Sequence, residues 1–155
     1  MGCNMAIRNI IQVGDDVLKK KSFPVEKIDD KILTLLDDMK ETLEAANGVG
    51  LAAPQVGVLK RIFIVSYEGK YFECINPEMI KQSGKQTGEE ACLSIKGKSG
   101  VVERPYKVTV KALNRKGEEV LIKVSGFMAK AFCHEYDHLD GILYIDRAKS
   151  VQNEE

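Results

Sequence analysis

The only two histidines of the 155-residue chain, His134 and His138, lie four positions apart, and Glu135 follows the first of them. On an α-helix, four positions advance by about 400° and about 6 Å, so the two imidazoles lie on one face. This HExxH spacing lets two neutral ring nitrogens bind one metal ion, while the carboxylate can reach a water on that ion. The pattern predicts a hydrolytic metal site. Two surface histidines beside an incidental glutamate are the weaker alternative.

A catalytic site of this type needs a third protein ligand and one open position. No histidine remains, and the only glutamates further along are the last two residues, which makes them poor ligands. We therefore expect a ligand from upstream. Cys92 lies between polar residues and is the best candidate, whereas Cys133 is expected to fill the core and Cys3 and Cys74 have no supporting context.

Two helices are predicted. The first covers Asp29–Asn47, where apolar residues recur at steps of three and four, and Gly48 is expected to end it in a left-handed conformation. The second begins near Ser125 or Gly126, carries the HExxH residues and ends at Asp140–Gly141. This second helix is expected to be the central element of the fold.

Two hairpins are predicted from alternating or β-branched segments joined by turn residues. The first joins strands at 61–67 and 71–76, and the second joins strands at about 107–112 and 119–124. Between them, Lys81–Gly100 is rich in Gly, Ser and Lys and is expected to be a looser stretch that carries Cys92. The order of elements indicates an α+β fold in which antiparallel sheets pack around a central HExxH-bearing helix.

Composition limits the classes of function. The chain has 23 Lys+Arg, 23 Asp+Glu and 44% hydrophobic residues, which predicts one catalytic domain over 1–155 with a short tail from about 148. The balanced charge argues against a general nucleic-acid or membrane-surface binder. The longest uncharged stretch, Ala45–Leu59, is too short for a membrane span, and the first residues lack a signal-peptide core. A cytoplasmic location is expected.

Three segments together resemble the motifs of the peptide deformylase family: Gly48–Gln55 (GVGLAAPQ), Glu90–Ser94 (EACLS) and His134–Gly141 (HEYDHLDG). Their order and spacing match that family, and the resemblance extends over nearly the whole chain from Met5. It implies an enzyme that removes the formyl group from N-formyl-methionyl nascent polypeptides and releases formate. It also implies one divalent metal ion, usually ferrous iron, with zinc, nickel or cobalt able to replace it, and it allows transient association with the ribosome.

The resemblance also implies roles for individual residues. The metal ligands would be Cys92, His134 and His138. The metal would lower the pKa of a bound water to give a hydroxide nucleophile, and Glu135 would take a proton and deliver it to the departing amine. Glu90 and Arg104 resemble a supporting ion pair behind the metal loop, although two unrelated surface charges are the alternative.

Further roles concern the substrate. By resemblance, the side-chain amide of Gln55 and the backbone N–H of Leu93 would stabilise the oxyanion formed by attack on the formyl carbon. Gly50, together with Val49, would let the substrate backbone lie close, as an added strand. Among the apolar residues that precede the histidines, Phe127, Met128 and Ala131, a core position is favoured over a methionine pocket.

Two positions depart from the family pattern. Ala91 stands where the family usually has Gly, which is harmless only if the backbone φ there is negative. Lys96 stands where Pro is common, which predicts a more mobile loop.

Two rival functions share the HExxH pattern. A zinc endopeptidase would need a third His or Glu ligand, and a non-enzymatic metal-stabilised module would need a fourth protein ligand.

Overall fold

The computed structural model describes residues 6–153, so the predictions about Cys3 and the two terminal glutamates lie outside it. The α-helices are α1 Asp30–Ala45, α2 Gly126–Leu139 and α3 Tyr144–Arg147. The strands are β1 Gly50–Ala52, β2 Ile62–Tyr67, β3 Lys70–Ser83, β4 Gln86–Cys92, β5 Ile95–Arg104, β6 Lys107–Leu113, β7 Glu119–Ser125 and β8 Ser150–Asn153. Short 3-10 helices lie at Asp16–Lys19 and Ala53–Val56.

The described strands form two antiparallel sheets, one with the order β1-β2-β3-β6-β7 and one with the order β4-β5-β8. In each sheet, a strand that the sequence motifs mark as functional lies at an edge. The edge strand β1 begins at Gly50, and the edge strand β4 ends at Cys92. Both edges therefore keep backbone groups that no neighbouring strand uses.

Helix α2 packs on the larger sheet through its aromatic and small residues. The ring of Phe132 is fully buried and lies edge-on to Phe63 and Phe72, with ring centroids 5.5 Å and 5.3 Å apart. Ala129 and Leu139 are buried in the same cluster. Left-handed Gly141 follows the helix, and a Cβ there would collide with the carbonyl oxygen of Lys19. The packing fixes the rotation of α2, so its two histidines turn away from this core.

Helix α1 covers the other side of the larger sheet. Asp29 caps its start by accepting a 3.1 Å hydrogen bond from the N–H of Ile32. Its buried face joins Leu35, Leu36, Met39 and Leu43 to the core. The left-handed residue after the helix is Asn47, with φ 54°, so the expectation that Gly48 would take this conformation was wrong. Asparagine tolerates it because its short polar side chain can bond locally.

The stretch Lys81–Gly100, expected to be loose, is ordered as the end of β3, all of β4 and the first part of β5. That expectation was wrong because backbone pairing between β4 and β5 outweighs the low strand propensity of its Gly, Ser and Lys residues. Lys96 lies within β5 rather than in a mobile loop.

Residues 150–153, within the segment expected to be a short tail, form β8 and pair with β5. No helix within residues 6–153 is both long and apolar enough to cross a membrane.

We expect Phe132→Ala to lower the free energy of unfolding by about 3–5 kcal/mol, because the change leaves a cavity between two other aromatic rings. Urea unfolding of the metal-free protein would measure this without a contribution from metal binding. Phe23→Ala is the matched control, since Phe23 is 63% exposed. The proposed packing of α2 would be contradicted if both variants lost the same stability.

Candidate active site

Three side chains from two elements bring metal-binding atoms together. Cys92 comes from the end of β4, and His134 and His138 come from successive turns of α2. One donor atom of each lies within 4.8 Å of the others, and the Cys92 Sγ atom lies 3.4 Å from Nε2 of His138. A tetrahedral ion with bonds of about 2.0–2.3 Å separates its ligand atoms by roughly 3.3–3.7 Å, so the 3.4 Å between Cys92 and His138 is the distance expected of two ligands of one ion.

The orientation of His134 is fixed by a carboxylate. Its Nδ1 lies 2.9 Å from Oε1 of Glu90. Because Glu90 also accepts from Arg104, it is an acceptor here, and Nδ1 of His134 must carry the proton. The other ring nitrogen, Nε2, then faces the sulfur of Cys92. The ring of Tyr144 stacks on His134 with centroids 6.0 Å apart and further limits its rotation.

Glu90 belongs to a buried chain of charges. Arg104 donates to both of its carboxylate oxygens at 2.8 and 2.9 Å, and also to Asp137 at 2.7 Å. Arg147 donates to the two oxygens of Asp137 at 2.6 and 3.1 Å. Burial alone would raise the pKa of Glu90, but the hydrogen bonds from Arg104 and His134 outweigh it and lower the pKa to about 2. Glu90 is therefore ionised whenever the protein is folded at neutral pH.

Electrostatics favour a cation beside His134. Burial alone would lower the pKa of His134, but its interactions with Cys92 and Glu90 raise the pKa above its usual range. Burial lowers the pKa of His138, which keeps that imidazole in the neutral form that binds metals. The site thus stabilises positive charge at His134, whereas His138 offers a neutral ring nitrogen.

Glu135 is buried beside β1. Burial raises the pKa of its carboxyl group to about 7, and its Oε1 has no hydrogen-bond partner among the described residues. Its other oxygen lies against Gly50, where an added Cβ would come within 2.5 Å of it. Position 50 was expected to be glycine because the absence of a side chain would let the substrate backbone lie close. The structure adds a second reason, which is contact with Glu135.

Gln55 is held with its NH2 group toward the site. Its Oε1 accepts a 2.9 Å hydrogen bond from the N–H of Ala52, which fixes the orientation of the amide. Its Nε2 then donates to the Cys92 Sγ at 3.5 Å and to the Ser94 Oγ at 3.0 Å. The predicted donor therefore lies beside the predicted sulfur ligand.

Several residues at the site were missed by sequence reasoning. Gln12 donates to the carbonyl oxygen of Leu93 at 3.0 Å, and the N–H of Val13 donates to the carbonyl oxygen of Ser94 at 2.7 Å, so the N-terminal segment holds the turn after Cys92. No local pattern marks these residues. Asp137 could have been found, because it lies inside the HExxH segment and three positions from His134, on a buried face.

Ala91, which departs from the family pattern, lies at an irregularity in the β4–β5 pairing between Glu90 and Cys92. Asn47, Glu68 and Asn76 are the non-glycine residues with positive φ in the described part of the chain, so Ala91 is not left-handed. A methyl group is therefore accommodated there without backbone strain.

A cavity of about 290 Å³ opens beside these residues. Its walls come from the segment before β1, from the end of β4 and from α2, and they include Val49, Gly50, Leu93, Phe127, Ala131, His134 and Glu135. The core was favoured for Phe127, Met128 and Ala131. Met128 and Ala131 pack against the core, and Phe127 and Ala131 line this cavity. Leu51 is fully buried in the core under α1.

The donor set fits a divalent transition metal. It combines one thiol sulfur with two imidazole nitrogens, a set that binds zinc and iron well. The unpartnered carboxylate oxygen of Glu135 beside it suits a water molecule on such an ion. Within residues 6–153 this cluster has three protein donors, which leaves a fourth position for water or substrate.

A family model for polypeptide deformylase matches residues 7–154. The chain belongs to the peptide deformylase family. It is 54% identical over 143 residues to a peptide deformylase of Acetivibrio thermocellus, covering 92% of this chain and 84% of that protein. Among solved structures, a peptide deformylase from Thermotoga maritima superposes with a TM-score of 0.90 at 38% identity, covering 93% of this chain and 99% of that one.

A peptide deformylase from Synechococcus elongatus, solved in complex with actinonin, also superposes with a TM-score of 0.90, at 32% identity, covering 97% of this chain and 83% of that one. The predicted family and the predicted α+β fold class are confirmed. The chain is an enzyme, and its predicted function as a peptide deformylase is confirmed with them. Family membership also makes it metal-dependent, as predicted.

We expect Glu90→Gln to weaken metal binding by about 10- to 100-fold, because an amide no longer holds His134 and Arg104 as a carboxylate does. Competition with a chelator would measure the affinity, and circular dichroism of the metal-free protein would verify folding. Glu103→Gln is the control, since Glu103 forms only an exposed 3.6 Å ion pair with Lys149. Equal affinities for the two variants would contradict the role of Glu90.

Proposed function

We propose that Cys92, His134 and His138 hold the divalent ion of this peptide deformylase and that the surrounding residues hydrolyse the formamide bond of N-formyl-methionyl peptides. The observation that carries the proposal is the convergence of one sulfur and two imidazole nitrogens within 4.8 Å, beside a buried carboxyl group. An ion bound there supplies Lewis-acid chemistry and lowers the pKa of a water molecule toward neutrality.

Glu135 is proposed as the proton carrier. A carboxyl group with a pKa of about 7 can accept a proton from the attacking water and still release it near neutral pH. The oxygen of that water bonds to the formyl carbon. When the C–N bond breaks, Glu135 delivers the proton to the departing nitrogen. The second proton of the water passes from the hydroxyl group of the intermediate to the released amine. The products are formate and a peptide with a protonated amino group, so atoms and charge balance.

Gln55 and Leu93 are proposed to stabilise the oxyanion that forms during the attack. Gln55 can do so because Ala52 fixes its oxygen, which directs its NH2 group toward the site without further reorganisation. The backbone of Leu93 is held by Gln12 through its carbonyl oxygen, which positions the adjacent peptide groups. Two donors held in place before the reaction stabilise the transition state more than mobile ones would.

We further propose that the peptide binds as an added strand along Gly48–Gly50. Strand β1 is an edge of the larger sheet, and its far side borders the cavity. Strand β4, an edge of the smaller sheet, borders the same cavity from the other side. An extended peptide between two strand edges can pair its main chain regardless of sequence, while the methionine side chain enters the cavity beside Phe127.

The rival functions fit the site less well. An endopeptidase of the usual HExxH type would take a third His or Glu, whereas the third donor here is sulfur. A closed structural site would need a fourth protein donor, and the described residues supply three. Ferrous iron as the native metal, a cytoplasmic location and transient contact with the ribosome are proposals that rest on the family resemblance.

We expect Glu135→Gln to lower kcat by about 10²- to 10⁴-fold, because the isosteric amide cannot carry a proton. Formate release from N-formyl-Met-Ala-Ser under anaerobic conditions would measure the rate, and metal content would show whether the ion is retained. Glu44→Gln, on the exposed face of α1, is the control. Equal rates for Glu135→Gln and wild type would refute the role of Glu135.

Protein purified without oxygen should contain about one metal ion per chain, and we expect that ion to be iron. Because the Cys92 side chain is partly exposed, exposure to air should oxidise the sulfur and reduce the activity. Metal analysis and mass spectrometry of Cys92 would follow both changes. Zinc in the anaerobic protein, together with activity that survives in air, would contradict iron as the native metal.

A further inference from the structure

One cation at the mouth of the cavity has no role in the mechanism proposed above. Lys130 lies on α2 four residues before His134, on the same face and about 6 Å further along the helix axis. Its side chain lines the cavity together with Phe127 and Glu89. The backbone of Lys130 is therefore about one helical turn from that of His134, and its side chain lines the same cavity.

The contacts of Lys130 hold its charge in place without neutralising it. Its Nζ donates to the carbonyl oxygen of Glu89 at 3.0 Å and lies 5.0 Å from the centroid of the Phe127 ring. The ring of Phe127 is itself supported by Tyr67, with centroids 4.5 Å apart. A carbonyl oxygen and an aromatic face orient an ammonium group but carry no net charge.

The acidic groups nearby have other partners. The carboxylate of Glu89 accepts from Gln152 at 3.1 Å, on the side of β8. Glu90 is paired with Arg104, and Glu135 is buried. No ion pair within 4 Å joins Lys130 to a carboxylate in residues 6–153. The neighbour on β4 is Gly88, whose missing side chain leaves room for the ammonium group.

We propose that Lys130 is a specificity-determining residue that selects N-formyl-methionyl peptides with an acidic residue at the second or third position. This inference rests on the proposed function, because it needs the peptide to run along the cavity past α2. Successive residues of an extended peptide are about 3.3 Å apart, so a side chain one or two residues beyond the methionine comes within reach of a cation that lines the same cavity as His134 and Glu135. A carboxylate there gains an ion pair, and a second cation is repelled.

The test compares kcat/KM between peptides within each enzyme preparation, so that the fraction of active enzyme cancels from the ratio. The substrates are N-formyl-Met peptides that carry Asp, Lys or Ala at the second position, or the same residues at the third. For the wild type at low salt, kcat/KM for the best Asp peptide should exceed that for its Lys counterpart by roughly five- to tenfold, the size expected for a partly exposed charge pair. About 1 M salt should remove most of this ratio.

Variants assign the effect to one residue. Lys130→Met keeps the apolar stem and should bring the Asp-to-Lys ratio near one, while Lys130→Glu should reverse it. Lys116→Met, in the exposed turn between β6 and β7, removes an equal charge and should keep the wild-type ratio. A ratio near one in the wild type, or a ratio that survives in Lys130→Met, would overturn the proposal. Absence of formate release from every peptide would instead overturn the proposed function.

Discussion

The buried carboxylate of Glu90 is the constraint on which the site depends. It accepts from Arg104 on β5 and from His134 on α2, so one side chain connects both strands of the β4–β5 hairpin to the helix. Isolated, each of these charges would be costly to bury. Together, their geometry leaves the ring of His134 a single orientation. The smaller sheet and the helix are thereby joined at the point where the sulfur of Cys92 must meet two imidazoles.

Helix α2 satisfies two demands that usually conflict. One side of it must be apolar to pack on the larger sheet, and another must bury His134, Glu135 and His138. Burying these polar groups costs free energy, which the packing of Phe132 and its neighbours offsets. The histidines occupy the C-terminal half of the helix, where the partial negative charge of the helix end favours a cation. The position of the motif along the helix therefore favours the metal site proposed above.

Much of this arrangement could be predicted because it depends on local spacing. The HExxH interval fixes which side chains share a helix face, and the absence of other histidines directs attention to Cys92. The sequence did not reveal that β4 and β5 are regular strands, since their backbone pairing outweighs the low strand propensity of their glycines and lysines. The role of Arg147 could not be predicted either, because its contact with Asp137 depends on the course of the chain after α2 and not on a sequence pattern.

The contact between Gly50 and Glu135 has a consequence for how this enzyme can diverge. Any side chain at position 50 would meet the carboxylate of Glu135, so no single substitution can reshape this wall of the cavity and leave that carboxylate in place. Ala91 and Lys130 line the same cavity away from this contact, and Ala91 does not have a positive φ. Substitutions at these two positions therefore change the cavity and leave the contact between Gly50 and Glu135 intact. A ligand that presses against the backbone at position 50 would meet a surface that substitution there cannot alter without moving Glu135.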